Sequence, residues 1–203
     1  MQITHQELEK AIIRSQHCQR NWDISKNIPQ EDLELIIHAV SNCPSKQNHA
    51  FYKVYAVVNR NIIESIHATT EGFLLPNGEW TTNSQTLANL LLVFEAIETS
   101  DRHKIKNHIY ENGSKATSTR DSDMAIGIAA GYANLISNIL GYKTGCCACF
   151  DGTQIQQILG MTNGPSLLMG IGFGDPDRSR RLHHVTNQLF PTKTKEKISV
   201  EII

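Results

Sequence analysis

Five short segments carry side chains whose types and spacing could do chemistry. Gln16-His17-Cys18-Gln19-Arg20 sets an imidazole, a thiol and a guanidinium side by side, and Asn21-Trp22-Asp23 follows. Taken alone, it is a polar helix end whose cations the helix dipole favours. Pro44-Ser45-Lys46-Gln47-Asn48 is built of ordinary turn residues. Thr82-Asn83-Ser84-Gln85 precedes a strongly apolar run. Its amides can cap an element, or hold the edge of a heterocycle through paired donor and acceptor bonds. Gly145-Cys146-Cys147-Ala148-Cys149-Phe150-Asp151 gathers three of the 5 cysteines. Arg178-Ser179-Arg180-Arg181-Leu182-His183-His184 concentrates arginines. They form either a solvated basic surface or a phosphate grip, since a guanidinium binds phosphate bidentately.

The cysteine run together with His183 and His184 offers zinc-type ligands. Adjacent histidines lack the spacing of a structural zinc site, so no metal is expected and the thiols read as small hydrophobes. A dithiol role for Cys146 and Cys149 lacks the usual βαβ setting. No G-x-G-x-x-G stretch is present, which argues against a Rossmann dinucleotide site.

The elements that must position these residues are legible from periodicity. Gln6 to Cys18 has a helical stripe, with Thr4 and Glu7 as a capping box. A second helix starts near Pro29 with Glu31 and Asp32 in its first turn, and Pro44 ends it. Tyr52 to Val58 reads as a strand and Asn61 to Ala68 as a short helix. Thr69 to Thr82 is a turn or loose hairpin around Pro76, Asn77 and Gly78. Leu87 to Glu95 suits a buried strand, and the polar stretch Asp101 to Thr119 could hold a short exposed helix. Asp123 to Leu140 is a long helix ending at Gly141; its many small residues imply close packing against another helix, within the chain or across a dimer axis. Gly145 to Phe150 is extended, Asp151 caps a helix over Gly152 to Leu159, and Gly160 stops it. Ser166 to Phe173 is a core strand, and the alternation over Ile198 to Ile203 suggests a terminal strand. This order predicts one α+β domain over residues 1–203 with a single sheet.

Composition sets the broad class. The chain has 203 residues, 40% hydrophobic and 19% charged, as ordinary globular proteins do. Its formal net charge of −1 gives no reason to expect nucleic acid or an anionic membrane as partner. No apolar stretch reaches membrane-span length, and the opening residues lack a secretory pattern. An odd number of cysteines in a chain of this size fits free thiols and a cytoplasmic location.

In this order, the five segments resemble the nitroreductase family over roughly Glu7 to Ile203. His17, Cys18, Arg20 and Trp22 match its first basic-polar cluster and aromatic; Pro44, Ser45 and Asn48 match its Pro-Ser-x-x-Asn. Phe150, Asp151, Leu159 and Gly160 match its Phe-Asp step into a short helix ending Leu-Gly. The match departs at Gln16, where the family usually has Arg, at Cys18, where it usually has Ser, after Asn48, and at Cys149.

The resemblance implies an α+β nitroreductase-like fold with a single mixed, largely antiparallel sheet flanked by helices. It implies a homodimer with FMN at the subunit interface, and a C-terminal arm that adds to the partner subunit. It implies hydride transfer from NADH or NADPH to a small nitroaromatic, quinone or similar acceptor by a ping-pong scheme. Relatives of the same architecture that dehalogenate, dehydrogenate a ring or break down flavin are the alternative. By resemblance, Arg178 and Arg180, with Arg181 in reserve and His17 beside them, would grip the phosphate. Arg20 would sit near N1 and O2 of the flavin. Asn83 would bond the pyrimidine edge with Gln85 close by, and Ser45 and Asn48 the ring or ribityl chain. The backbone N–H near Ala148 or Cys149 would face N5. Gln16, Cys18 and Pro44 belong to the same contacting segments.

Overall fold

The computed structural model describes residues 3–74, 78, 80–81, 83–97, 115–175 and 195–202. Helix α1 covers His5–Ser15 and α2 Gln30–Ser41; strand β1 covers Tyr52–Val57 and α3 Arg60–Ala68. The small strands β2 (Phe73–Leu74) and β3 (Trp80–Thr81) form a hairpin, followed by β4 (Leu90–Ala96). Then come α4 (Lys115–Ile139), β5 (Lys143–Cys147), α5 (Gly152–Leu159) and β6 (Pro165–Gly172). The main sheet is antiparallel in the order β1-β4-β6-β5. The architecture is α+β, as expected.

Local chemistry explains most boundaries. Thr4 accepts from the Glu7 N–H while the Glu7 carboxylate accepts from the Thr4 N–H, so the capping box forms. Asp151 accepts from the N–H groups of Thr153 and Gln154 to start α5, and Gly160 ends it at φ 61°. The apolar run of β4 has a two-sided cause. Leu90, Leu92 and Phe94 pack with Ile36 and Val40 of α2 and Ile126, Ala129 and Ala133 of α4. Leu91 and Val93 point the other way, towards Ile63 and Ile66 of α3 and Ile155 of α5. Helices thus cover both faces of an antiparallel sheet, and alternation disappears.

Several boundaries differ from the sequence expectation: α1 ends at Ser15, three residues before Cys18, β4 begins at Leu90, three residues after Leu87, and three further differences have a physical cause. Helix α4 starts at Lys115, so residues 115–119 belong to it and not to a separate exposed helix; residues 101–114 lie outside the described residues. The polar start shows no apolar stripe, but tertiary bonds hold it: Lys46 Nζ donates to buried Asp121 at 2.7 Å, and buried Ser122 bonds the Ile97 carbonyl at 3.5 Å. Strand β5 is shifted, beginning at Lys143 and ending at Cys147. The expected terminal strand is not seen over 195–202, whose Ile198, Val200 and Ile202 are exposed; an alternating segment needs a strand to pair with, and none among the described residues pairs with this one.

Helix α4 is apolar on two sides. One face is buried through Ala125, Ala129 and Ala133, while Met124, Ile128, Tyr132 and Leu135 form an exposed stripe at 38–48% exposure. Gly127 and Gly131 lie beside that stripe with open space around them. A helix apolar all round is expected to be covered on all sides.

Gly170 on β6 brings the later site into place. A Cβ there would lie 2.0 Å from the Gln85 carbonyl oxygen and 2.9 Å from the Ala88 Cβ. Only glycine lets the turn after Asn83 settle on the sheet. Gly170→Ala is therefore expected to lower the melting temperature by about 5–10 °C, since overpacking costs ~1–3 kcal/mol or more and each kcal/mol moves Tm ~2–4 °C at this size. Thermal unfolding followed by circular dichroism checks it; an unchanged Tm would contradict this contact.

Candidate functional site

Three of the expected segments meet at the β5 edge of the sheet. The chain leaves α1 at Gln16 and runs along β5: the Gln19 N–H donates to the Thr144 carbonyl at 2.8 Å, and Cys18 bridges Thr144 in parallel fashion. The Cys18 thiol contacts the Cys146 carbonyl at 3.9 Å. From the other side comes a short 3₁₀ turn, Ser84–Thr86, anchored by buried Trp22, whose indole N–H donates to the Ser84 carbonyl at 2.9 Å. The three segments close on Gly145. A Cβ there would meet Gln85 Cβ at 2.7 Å, Gln19 O at 2.8 Å and Cys18 Sγ at 3.1 Å.

The amides named in the sequence have different situations. Asn83 is buried, and its Nδ2 donates to the carbonyl oxygens of Glu71 and, at 3.2 Å, Cys149. The Glu71 N–H also donates to Cys149 O at 2.9 Å, so the β2–β3 hairpin springs from the rim of the site. Gln85 Nε2 donates to Asn83 Oδ1 at 3.2 Å. Its Oε1 is buried without a hydrogen-bond partner among the described residues, as is the Ser84 hydroxyl. Ser137 Oγ and Asn138 Oδ1 are in the same state elsewhere, so what distinguishes Gln85 Oε1 is its place where the three segments converge. Asn83 thus serves as a strut, and the free acceptor belongs to Gln85.

Arg20 is half-buried beside this cluster, with Nη1 donating to the Cys18 carbonyl at 3.3 Å. Gln16 caps α1 through its N–H, and His17 is exposed. Ala148 and Cys149, beyond the end of β5, are exposed. All five cysteines are free thiols. Desolvation raises the thiols of Cys18 and Cys147 above their ordinary range. It pushes Cys146 up to about 11, with neighbouring Cys18 and Cys147 acting the same way. At neutral pH these are uncharged thiols, suited to a wall more than to nucleophilic attack. Among the described residues no group of three or more His, Cys, Asp or Glu could hold a metal ion. Arg178, Arg180, Arg181, His183 and His184 lie outside the described residues.

Pro44, Ser45 and Asn48 are not brought to this cluster. They precede β1, the outer strand on the opposite edge, three strand spacings or about 14 Å from β5. The Ser45 hydroxyl donates to the His49 carbonyl at 2.7 Å, and Gln47 and Asn48 both adopt left-handed backbone at φ 54° and 56°. Such strain in non-glycine residues concentrates at functional loops. Ser45 and Asn48 line a cleft of ≈ 490 Å³ with Ile37, Val40, Tyr52 and Val54.

Sequence reasoning missed Gln19, whose main chain fixes the first segment to β5, and Gly145, at which the segments converge. A glycine opening a cysteine run was the available signal for the second. Nothing in the local sequence marked the first.

Comparison with known proteins places this arrangement. The model of the nitroreductase family matches residues 13–175. Among curated proteins, none matches. Solved structures share the fold. The Bacillus subtilis protein ydfN, named as a nitroreductase, aligns with a TM-score of 0.71 at 16% identity, over 98% of this chain and 100% of its own. A Staphylococcus epidermidis protein named as an NAD(P)H:FMN oxidoreductase gives 0.67 at 16% identity, over 98% of both chains. An Exiguobacterium sibiricum protein named as a nitroreductase and solved with FMN gives 0.64 at 14% identity, over 86% of this chain and 90% of its own. No helix among the described residues is long and apolar enough to cross a membrane. The family match covers most of the chain, and the chain therefore belongs to the nitroreductase family and, with it, to the oxidoreductases.

Proposed function

We propose that the protein is a homodimeric FMN enzyme of the cytoplasm that draws electrons from NADH or NADPH and passes them to a small acceptor such as a quinone or nitroaromatic. Donor and acceptor would use one site in turn. The observation that carries this reading is the convergence of the 16–20, 83–85 and 145–149 segments around the unpaired buried acceptor Gln85 Oε1, in a chain of this family. The FMN in one structural neighbour and the name of another support the cofactor.

The residues present fit the cofactor. Gln85 Oε1 would accept from the imide N–H of a flavin, and Asn83 would hold Gln85 for it. Arg20 would hold positive charge against the pyrimidine end. Backbone N–H groups near Ala148 and Cys149 would face the reactive nitrogen. Arg178, Arg180 and Arg181 with His17 would grip the phosphate, which here has no glycine-rich loop to rely on. FMN would supply the hydride chemistry itself; the protein supplies position and field.

A dimer completes the site in this reading. The exposed stripe on α4 would pack against its copy across a twofold axis, with Gly127 and Gly131 allowing close approach. Ser45 and Asn48, too far from the β5 edge of their own chain, would serve the partner's site. The exposed arm 195–202 would lie along the partner's β1, whose Tyr52, Val54 and Ala56 line the cleft described above.

Arg180→Ala tests the phosphate grip. Loss of one charge-assisted pair is expected to raise the FMN dissociation constant roughly tenfold, read by quenching of flavin fluorescence. Affinity equal to that of the parent would remove Arg180 from the site.

A further inference from the structure

The 16–20 segment has no helix or strand of its own, only the Cys18 bridge to Thr144, so something must hold it. Its hydrogen bonds lead to one polar group between α4 and β5. Asn134 Nδ2 donates to the Ser15 carbonyl at 3.1 Å, satisfying a carbonyl that the end of α1 leaves unpaired. Thr144 Oγ1 donates to Asn134 Oδ1 at 2.6 Å and fixes that amide's orientation. The Thr144 main-chain carbonyl meanwhile accepts from Gln19 N–H at 2.8 Å. Asn138 Nδ2 donates to Thr144 Oγ1 at 3.3 Å and to the Asn134 carbonyl at 2.9 Å, and the Asn138 carbonyl accepts from Arg14 Nη2 at 3.0 Å. Thr144 and Asn138 are buried.

Thr144 thus touches the segment at both ends. Its hydroxyl acts through Asn134 on Ser15, where the segment begins, and its carbonyl acts directly on Gln19. Gln16, His17 and Cys18 are strung between the two anchors. We infer that Thr144 and Asn134 are positioning residues for the cofactor-binding segment, holding His17, Cys18 and Arg20 in register with Gly145 and Gln85. The inference rests on the FMN reading for its consequence, though not for the anchoring itself. A valine at 144 keeps the branched shape and the main-chain carbonyl but removes the hydroxyl. Asn134 Oδ1 then loses its shorter hydrogen bond and keeps only the one from Asn138 Nδ2 at 3.2 Å, so the Ser15 anchor loosens while Gln19 stays bonded. The defect should be local, because this network lies outside the apolar clusters on both sheet faces.

The test is hydrogen exchange on the full-length protein without cofactor, read by mass spectrometry, for the parent, Thr144→Val and Thr144→Ser. In Thr144→Val, exchange over residues 15–20 is expected to rise roughly tenfold with β4 and β6 unchanged, and Thr144→Ser should restore it. FMN titration of the same proteins is expected to give a dissociation constant raised roughly five- to tenfold in Thr144→Val alone. Exchange over 15–20 that matches the parent in Thr144→Val, or that Thr144→Ser fails to restore, would overturn the positioning role. FMN affinity unchanged in Thr144→Val despite faster exchange would overturn its link to the cofactor. A parent that binds no FMN while the exchange effect is present would count against the FMN reading and leave the anchoring supported.

Discussion

Ile128→Glu is expected to prevent the proposed dimer from forming and, in doing so, to weaken FMN binding more than 100-fold. Ile128 stands in the middle of the exposed α4 stripe, between Met124 and Tyr132. In an isologous interface the same residue occurs twice near the axis, so a single substitution buries two carboxylates against apolar surface. An unpaired buried charge costs several kcal/mol, and the like charges repel each other as well. The folded chain should tolerate the change, because this face is solvent-exposed in the single chain. Light scattering should therefore report a folded species of 22.7 kDa in place of one of twice that mass. FMN affinity would collapse with it if, as proposed, Ser45 and Asn48, which lie on the edge opposite Gln85 in their own chain, serve the partner's site. A variant that is monomeric yet binds FMN as the parent does would disprove the shared site.

Arg20→Ala is expected to slow bleaching of the flavin absorbance by a nicotinamide donor about 100-fold while changing FMN affinity less than about fivefold. Removing one preorganised group that stabilises developing charge typically costs 10²–10³ in rate. Arg20 is suited to that task. It is half-buried, and its Nη1 is held by the Cys18 carbonyl, so the guanidinium is fixed before reaction. The grip on the phosphate lies with other residues in this account, so binding should survive. Anaerobic stopped-flow separates the two quantities. Equal rates in variant and parent would sink the assigned role, and a loss of affinity as large as the loss of rate would make Arg20 a binding residue instead.

The elements were legible where local chemistry decides them. Thr4 with Glu7, and Asp151 with Gly160, mark helix ends through bonds that a few residues specify. The apolar run from Leu90 marked β4 because both of its faces are covered. Long-range bonds were invisible: nothing near Asp121 announces that Lys46 will hold the start of α4. The candidate site follows the same division. The ordered motifs singled out five segments, and three of them converge among the described residues. The division of work between Asn83 and Gln85 could not be read, because it depends on carbonyl groups at Glu71 and Cys149 that fold against them. The opposite-edge placement of Pro44, Ser45 and Asn48 is a consequence of strand order, which no local pattern encodes.

An FMN enzyme fed by a nicotinamide shows itself in the absorbance spectrum of the purified protein with FMN, recorded before and after anaerobic addition of NADH and, separately, NADPH. Protein-bound flavin bands are expected that bleach with at least one donor and return when a quinone is added. Bands that form but never bleach would keep the cofactor and contradict the electron donor, favouring a dehalogenase-like or dehydrogenase-like reaction on the same fold. A protein that stays colourless in excess FMN would mean that no flavin site exists.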